Sequence, residues 1–203
     1  MTDSNITDLH PAFLSPLTQS ILNKQPAAYR KLVVTGGTPT TARELLADVK
    51  PEQLLTVPVK SRHDASAMLG GLWLRHDALH ECHEIVQDLI GPTGSFWHAI
   101  MHRREGDFSN AKYWYARCAD HRAFRLVSAL ARDVIGREVT DKSLLQIAGA
   151  EYNPDALVDL VAELQDKPQD PRLEAAVQLQ RMEWEALFHY CAYEAAGESG
   201  GMI

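Results

Sequence analysis

The amino-acid sequence predicts an all-α protein. Apolar residues recur at the three-to-four-residue spacing of amphipathic helices over most of the chain. The β-like runs at residues 32–35 and 56–59 are short, and Pro58 weakens the second as a strand. No segment repeats at the period of a helical solenoid. The sequence therefore predicts a compact, bundle-like helical domain with a long central helix.

Local signals place the ends of the predicted helices. Thr38 to Thr41 carry hydroxyl groups that suit a helix start, and Asp107 follows a glycine that interrupts the helical pattern. Residues 91–94, Gly-Pro-Thr-Gly, end a long helix that begins at Asp64 or Ser66. The predicted helices span residues 12–23, 42–48, 64–90, 95–105, 107–118, 122–135, 154–165 and 171–195.

Length, charge and cysteine content narrow the class of protein. The 203 residues suit one domain, with a helical core at about 64–195 and a partly irregular segment at 1–60. The net charge of −7 argues against a nucleic-acid binder. No apolar run approaches the ~20 residues that cross a bilayer, and the polar start is no secretory signal. Three widely spaced cysteines suit a reducing cytoplasm. We expect a cytoplasmic protein without nucleic-acid or membrane partners, its oligomeric state open.

Histidines concentrate in one part of the chain. Six of the nine lie between His76 and His121, and three of the four tryptophans are at 73, 97 and 114. Imidazole can ligate metals, transfer protons or donate hydrogen bonds near neutral pH. We therefore expect the functional site in this segment.

The long predicted helix places polar residues on adjoining stripes. At about 100° per residue, His80, His83 and Gln87 share one stripe, and Glu84 belongs to an acidic strip beside it. Apolar residues cover the rest of the helix. The histidine stripe is expected at the border between core and solvent, where a cleft would be lined.

The next predicted helix repeats this arrangement. His98 and His102 are four residues apart, and Glu105 follows on the same face. Short connections make consecutive helices antiparallel neighbours, so these histidines are expected to face His83. Imidazoles with carboxylates satisfy zinc, iron or manganese, which predicts His83, His98 and His102 as ligands of a divalent metal. The His98–His102 spacing matches a zincin helix, but Ala99 replaces its general-base glutamate, so that mechanism does not transfer.

The neighbouring charged residues suggest a reaction. Glu84 is a candidate fourth ligand or the base that activates water. Arg103 is a candidate for orienting an anionic substrate through its two-pronged guanidinium; pairing with nearby carboxylates is the alternative. The other candidate ligand-binding residues are Gln87, Arg104, Asn110 and Tyr113. Together they suggest metal-assisted hydrolysis of a small anionic molecule, or binding of such a molecule without chemistry.

A family resemblance covers residues 69–121. The block His-Arg-Arg-Glu-Gly-Asp-Phe-Ser-Asn-Ala-Lys-Tyr-Trp at residues 102–114 resembles the hallmark of a family of uncharacterised bacterial and fungal proteins. The resemblance implies no reaction, because no activity is established for that family. The positions it includes are His83, Gln87, His98, His102, Arg103, Arg104, Asp107, Asn110, Tyr113 and Trp114.

A second similarity supports a non-enzymatic alternative. Residues 105–117 are similar to the helix-turn-helix junction of tetratricopeptide-like repeats. That similarity implies a helical interaction or scaffold module, although a lone repeat cannot bury its own face. In this alternative the histidines and arginines form a structural polar seam, each bonded to backbone or carboxylate.

Overall fold

Helices make up the regular structure of this protein. The computed structural model describes residues 10–24, 30–136, 140–149 and 151–198, which contain ten α-helices and no β-sheet. The prediction of an all-α fold is confirmed. A 3-10 turn, Pro51–Gln53, precedes the third helix. The helices are α1 (Pro16–Lys24), α2 (Thr40–Leu46), α3 (Arg62–Arg75), α4 (Leu79–Val86), α5 (Pro92–Glu105), α6 (Phe108–Tyr115), α7 (Ala123–Ile135), α8 (Lys142–Ile147), α9 (Pro154–Leu164) and α10 (Leu173–Ala196).

Helices α5 and α10 form the centre of the fold. Helix α5 packs against α3, α4, α6 and α10, and α10 also packs against α3, α7 and α9. Every residue of α5 from Thr93 to Arg104 is buried. The Trp184 indole N–H donates to the Gly71 carbonyl oxygen at 2.8 Å. A Cβ on Gly71 would lie 2.6 Å from the Trp97 ring, so glycine is what lets α3 approach these tryptophans.

The predicted continuous helix over residues 64–90 is wrong. The chain leaves the helix after Arg75 and re-enters it at Leu79. Asp77 between them has φ +60°, which non-glycine residues seldom adopt. The Arg104 guanidinium of α5 donates to the Asp77 carboxylate and thereby holds the break. The sequence gives no sign of this break. The hydrophobic periodicity continues through it, and no glycine or proline lies there.

The remaining helix boundaries follow the local signals to different extents. Asp107 accepts the Asn110 amide at 3.1 Å, which confirms the predicted cap of α6. Helix α5 begins at Pro92, earlier than the predicted Ser95, because proline is suited to the first helical position. Helix α2 has no side-chain cap, because its N-cap residue is Pro39, and the Thr38 hydroxyl donates to Glu81.

Two helices, α1 and α8, differ from the predicted ones. Helix α1 starts at Pro16 rather than near residue 12. Helix α8 is not among the predicted helices; the Asp141 carboxylate caps it by accepting the Ser143 and Leu144 amides. Parts of the segment 1–60, residues 1–9 and 25–29, lie outside the described residues.

Two further findings bear on the predicted class of protein. In the described part of the chain, no helix is long and apolar enough to cross a membrane. Cys82, Cys118 and Cys191 are buried free thiols in three different places: α4, the turn after α6, and α10. Burial raises the pKa of each thiol well above its ordinary value.

Candidate functional site

Three of the predicted site residues lie together between α4 and α5. The ring centroids of His83 and His98 are 5.3 Å apart, and those of His83 and His102 are 5.9 Å apart. The His98 and His102 rings stack at 6.1 Å. The break at Asp77 makes α4 a separate short helix that packs against α5. The histidine cluster, defined here as His83, His98 and His102, is thus formed by two helices, as the spacing predicted.

His98 is held from two sides. Its Nδ1 lies 3.2 Å from the Gly94 carbonyl oxygen, one turn earlier in α5. A carbonyl oxygen only accepts, so Nδ1 carries the proton and the Nε2 of the neutral ring keeps its lone pair. The Trp114 indole stacks on the ring at 4.2 Å and 13°. Burial lowers the pKa of His98 to about 4, opposed by the Gly94 bond and aided by the other two rings, so the ring is neutral near pH 7.

His102 has a comparable arrangement at the edge of the cluster. Its Nδ1 lies 3.1 Å from the Glu105 carboxylate, and the Asn110 amide nitrogen lies 3.2 Å from Nε2 and 3.4 Å from Nδ1. A carboxylate only accepts, so Nδ1 carries the proton and donates to Glu105, and Nε2 is the ring nitrogen that can accept from Asn110. Asn110 therefore reaches the cluster, because the Asp107 cap fixes the first turn of α6.

A cavity of about 540 Å³ opens beside the cluster. Helices α4 and α5 supply two of its walls, and the irregular segment at residues 34–36 supplies the third. The Val34 amide donates to the Arg104 carbonyl oxygen at 2.7 Å, which fixes this segment against the end of α5. In the sequence this region is only a short β-like run, and no local signal assigns it to the site. The lining residues are Val34, Thr35, Gly36, Leu79, His80, His83, Met101, His102 and Glu105.

The cluster is not arranged as a complete metal site. Among residues 10–24, 30–136, 140–149 and 151–198, no group of three histidine, cysteine, aspartate or glutamate side chains could hold a metal ion as it stands. The rings of His83 and His98 meet edge to face at 90°. Binding of a metal ion would therefore require the rings to reorient.

Arg103 lies away from the cavity, on the opposite face of α5. Its guanidinium donates to the Glu183 carboxylate, to the Tyr115 hydroxyl at 2.6 Å and to the Gln180 side chain at 3.1 Å. Arg103 and Glu183 are both fully buried. Although burial opposes the charge, Glu183 raises the pKa of Arg103 above its ordinary value. This placement removes Arg103 from the residues that can orient a substrate in the cavity, and favours the alternative of pairing with a carboxylate.

The other predicted residues also lie outside the cavity lining. The Arg104 guanidinium is buried and donates to Asp77 and to the Lys31 carbonyl oxygen. Glu84 on α4 and Gln87 just after its end are exposed and bond to each other at 3.2 Å. Tyr113 is half exposed, and the Arg117 guanidinium covers its ring at 3.7 Å. Sequence spacing places these residues near the cluster but does not determine which way they face.

Comparison with known proteins does not identify the chain. No protein-family model matches it, and no curated protein or solved structure does. The resemblance to the uncharacterised family therefore stays an expectation, and the function has to be argued from the site.

Proposed function

We propose that His83, His98 and His102 bind one divalent transition-metal ion, and that the adjoining cavity admits a small molecule to it. The observation that carries this proposal is the convergence of three imidazole rings, two of them with Nδ1 already bonded to an acceptor. Imidazole nitrogens are suited to zinc, iron, copper and nickel.

The spacing of the rings is close to what one metal ion requires. Three imidazoles around a tetrahedral ion, with metal–nitrogen bonds of ~2.0–2.1 Å, have ring centroids about 5 Å apart. The centroids in this cluster are 5.3, 5.9 and 6.1 Å apart. Binding would require the His83 ring to turn and Asn110 to release the Nε2 of His102, while α4 and α5 keep their positions.

The hydrogen bonds of His98 and His102 support the same proposal. Histidines that ligate a metal commonly donate their other ring N–H to a carbonyl or carboxylate, which fixes the ring and its tautomer. Gly94 supplies the carbonyl for His98, and Glu105 supplies the carboxylate for His102. In both rings the proton is therefore on Nδ1 and the free lone pair is on Nε2, the nitrogen that would bind the metal ion.

The charges around the cavity favour a cation over an anion as the directly bound ligand. Among the described residues that line the cavity, none is an arginine or a lysine. Arg103 and Arg104, the cations that sequence suggested for an anionic substrate, are bonded to Glu183 and Asp77. Neutral imidazoles attract electron-deficient metal ions rather than anions. An anionic substrate would meet its positive charge at the metal ion.

Three protein ligands leave a coordination position open for water. This pattern is typical of catalytic zinc, which lowers the pKa of the bound water to about 7. Glu105 stands at the cavity with its carboxylate on His102, whereas Glu84 bonds to Gln87 at the surface. Metal-assisted hydrolysis is the reaction that this arrangement supports best, with Glu105 orienting His102.

The proposal is tested by measuring bound metal in protein purified without a histidine tag. We expect near-stoichiometric zinc, iron or manganese after dialysis, and its loss in the double variant His98→Ala/His102→Ala. The matched control is His63→Ala, because His63 is exposed and bonds only to the Ile90 carbonyl oxygen and, weakly, to Asp64. Circular dichroism would verify that each variant is folded.

Tryptophan fluorescence supplies a second readout of the same event. Copper(II) bound at the cluster should quench Trp114, whose indole stacks on His98. Trp114→Phe should bind the same amount of copper but lose most of the quenching. No metal in the wild-type protein with excess ions present, or equal metal in His63→Ala and the double variant, would overturn the proposal.

One observation favours the interaction module as a second function. His98 and His102 each find a hydrogen-bond partner within α5, as a structural seam requires. In that case the double variant would lose stability without any change in metal content. The two measurements therefore separate the two functions.

A further inference from the structure

A second cavity lies apart from the histidine cluster and shares no lining residue with the first cavity. It has a volume of about 490 Å³, within the usual range for small-molecule sites. Helix α7 and the segments before α7 and before α9 form it, and no residue of the histidine cluster lines it. The lining residues are Asp120, His121, Phe124, Arg125, Ser128, Arg132, Glu151 and Tyr152.

The floor of this cavity is aromatic. Phe124 lies between His121 and Tyr152, with ring centroids at 6.2 and 5.6 Å. The fully buried Phe96 supports this layer from beneath, 4.8 Å from Phe124. The three rings are therefore held in place before any ligand arrives.

The polar atoms of the two heteroatom-bearing rings face into the protein. The Nδ1 of His121 accepts the Ala123 amide at 3.2 Å, so its Nε2–H donates to the Thr93 hydroxyl at 3.2 Å. The Tyr152 hydroxyl donates to Glu183. Neither ring retains a polar atom for catalysis, and both offer carbon surface to the cavity. This floor is suited to binding an aromatic ring.

The rim of the cavity carries charges of both signs. Asp120, Arg125 and Glu151 are exposed, and their side chains form no ion pair or hydrogen bond with any residue that the structure describes. Ser128 likewise has a hydroxyl without a partner among the described residues. The rim can therefore pair with a carboxylate through Arg125 and with an ammonium group through Asp120 or Glu151.

We propose that this cavity binds a zwitterion that carries an aromatic ring, namely a free aromatic α-amino acid. Such a ligand satisfies the three features of the site together: an apolar aromatic floor, an unpaired guanidinium and unpaired carboxylates. A simple anion or cation would leave one charge of the rim without a partner. The inference is independent of the metal proposed at the histidine cluster.

The probes that test this inference are L-phenylalanine and three compounds that each lack one of its features. Phenethylamine lacks the carboxylate, 3-phenylpropanoate lacks the ammonium group, and L-alanine lacks the ring. Saturation-transfer NMR and calorimetry on the intact protein, at millimolar ligand concentrations, would rank them. We expect L-phenylalanine to bind best, and each deletion to weaken binding by about tenfold or more.

Variants of residues at the rim of this cavity would show where L-phenylalanine binds. Arg125→Gln should weaken the binding of L-phenylalanine by about tenfold or more but leave the affinity for phenethylamine unchanged. The matched control is Arg122→Gln, because Arg122 is an exposed arginine that pairs with Glu194 and does not line the cavity. His98→Ala/His102→Ala should bind L-phenylalanine like the wild type. Absence of binding, equal binding of all four probes, or equal effects of Arg125→Gln and Arg122→Gln would overturn the inference.

Discussion

His102 and Arg103 are adjacent in the chain, yet they lie in opposite environments on the two faces of α5. His102 is 8% exposed and opens onto a cavity, with Asn110 holding the lone pair of its Nε2. Arg103 has no exposed surface and joins Glu183, Tyr115 and Gln180 in a fully buried network. Both residues belong to the same polar block of sequence.

The two regions differ in the bonding capacity that they leave for a ligand. In the Arg103 network, the Glu183 carboxylate accepts from Arg103, Tyr115 and Tyr152, and little bonding capacity is left for a ligand. In the histidine cluster, the His83 side chain makes no hydrogen bond with any described residue, and the bond from Asn110 to His102 can be exchanged for another partner. Spare bonding capacity beside a cavity, rather than density of polar residues, indicates binding.

Breaking the buried network should have the largest effect on stability. Glu183→Gln leaves the Arg103 cation buried without its counter-charge, which should lower the free energy of unfolding by about 3–5 kcal/mol. Urea denaturation would measure it. Glu163→Gln, which breaks the exposed pair with Arg172, is the control and should change stability far less. Equal losses for the two variants would contradict the structural role of the network.

An intermediate loss of stability is expected at acidic pH, because His121 is buried in its neutral form. Burial lowers the pKa of His121 to about 4 from its ordinary 6.5, so the protein takes up a proton at this site when it unfolds between these pH values. The contribution of the neutral His121 to the free energy of unfolding is fully present above pH 6.5. It is lost as the pH falls towards 4, which lowers the free energy of unfolding by up to about 3 kcal/mol.

Thermal unfolding of wild type and His121→Asn between pH 7 and pH 4 would measure this contribution. We expect the wild type to lose more stability than the variant over that range. His63→Asn, at an exposed position, should follow the wild type. Parallel curves for wild type and His121→Asn would rule out the contribution.

The smallest effect on stability, with the largest on binding, should come from His83. Its ring is only half buried and has no hydrogen-bond partner in the described chain, so His83→Ala should cost less than about 1 kcal/mol. It should nevertheless weaken metal binding by more than about tenfold, because it removes a ligand. A large loss of stability with unchanged zinc content would instead give His83 a structural role, like that of the Arg103 network.

Local patterns in the sequence predicted much of the fold and the core of the site. The four-residue spacing of His98 and His102 and the short connection after α4 brought the right rings together. The Asp107 cap was predictable because its chemistry involves neighbouring residues alone. These features depend on spacing and on backbone bonds within one turn.

The features that the sequence did not predict depend on distant residues. Arg103 and Glu183 are 80 positions apart, and no local pattern of either pairs them. Asp77 adopts its left-handed conformation in contact with Arg104, 27 residues later. The cavity wall at residues 34–36 comes from a segment with no helical pattern at all. Which way a polar side chain faces is thus decided by tertiary partners.

The three buried thiols offer a way to observe the protein opening region by region. Cys82 adjoins His83 on α4, Cys118 follows α6, and Cys191 lies on α10 beside the central helix. Burial raises the pKa of all three, so none reacts with a thiol reagent until its surroundings separate. The order in which they become labelled under native conditions would record which helix detaches first. A helix that must move to admit a ligand would be expected to release its cysteine before α10 does.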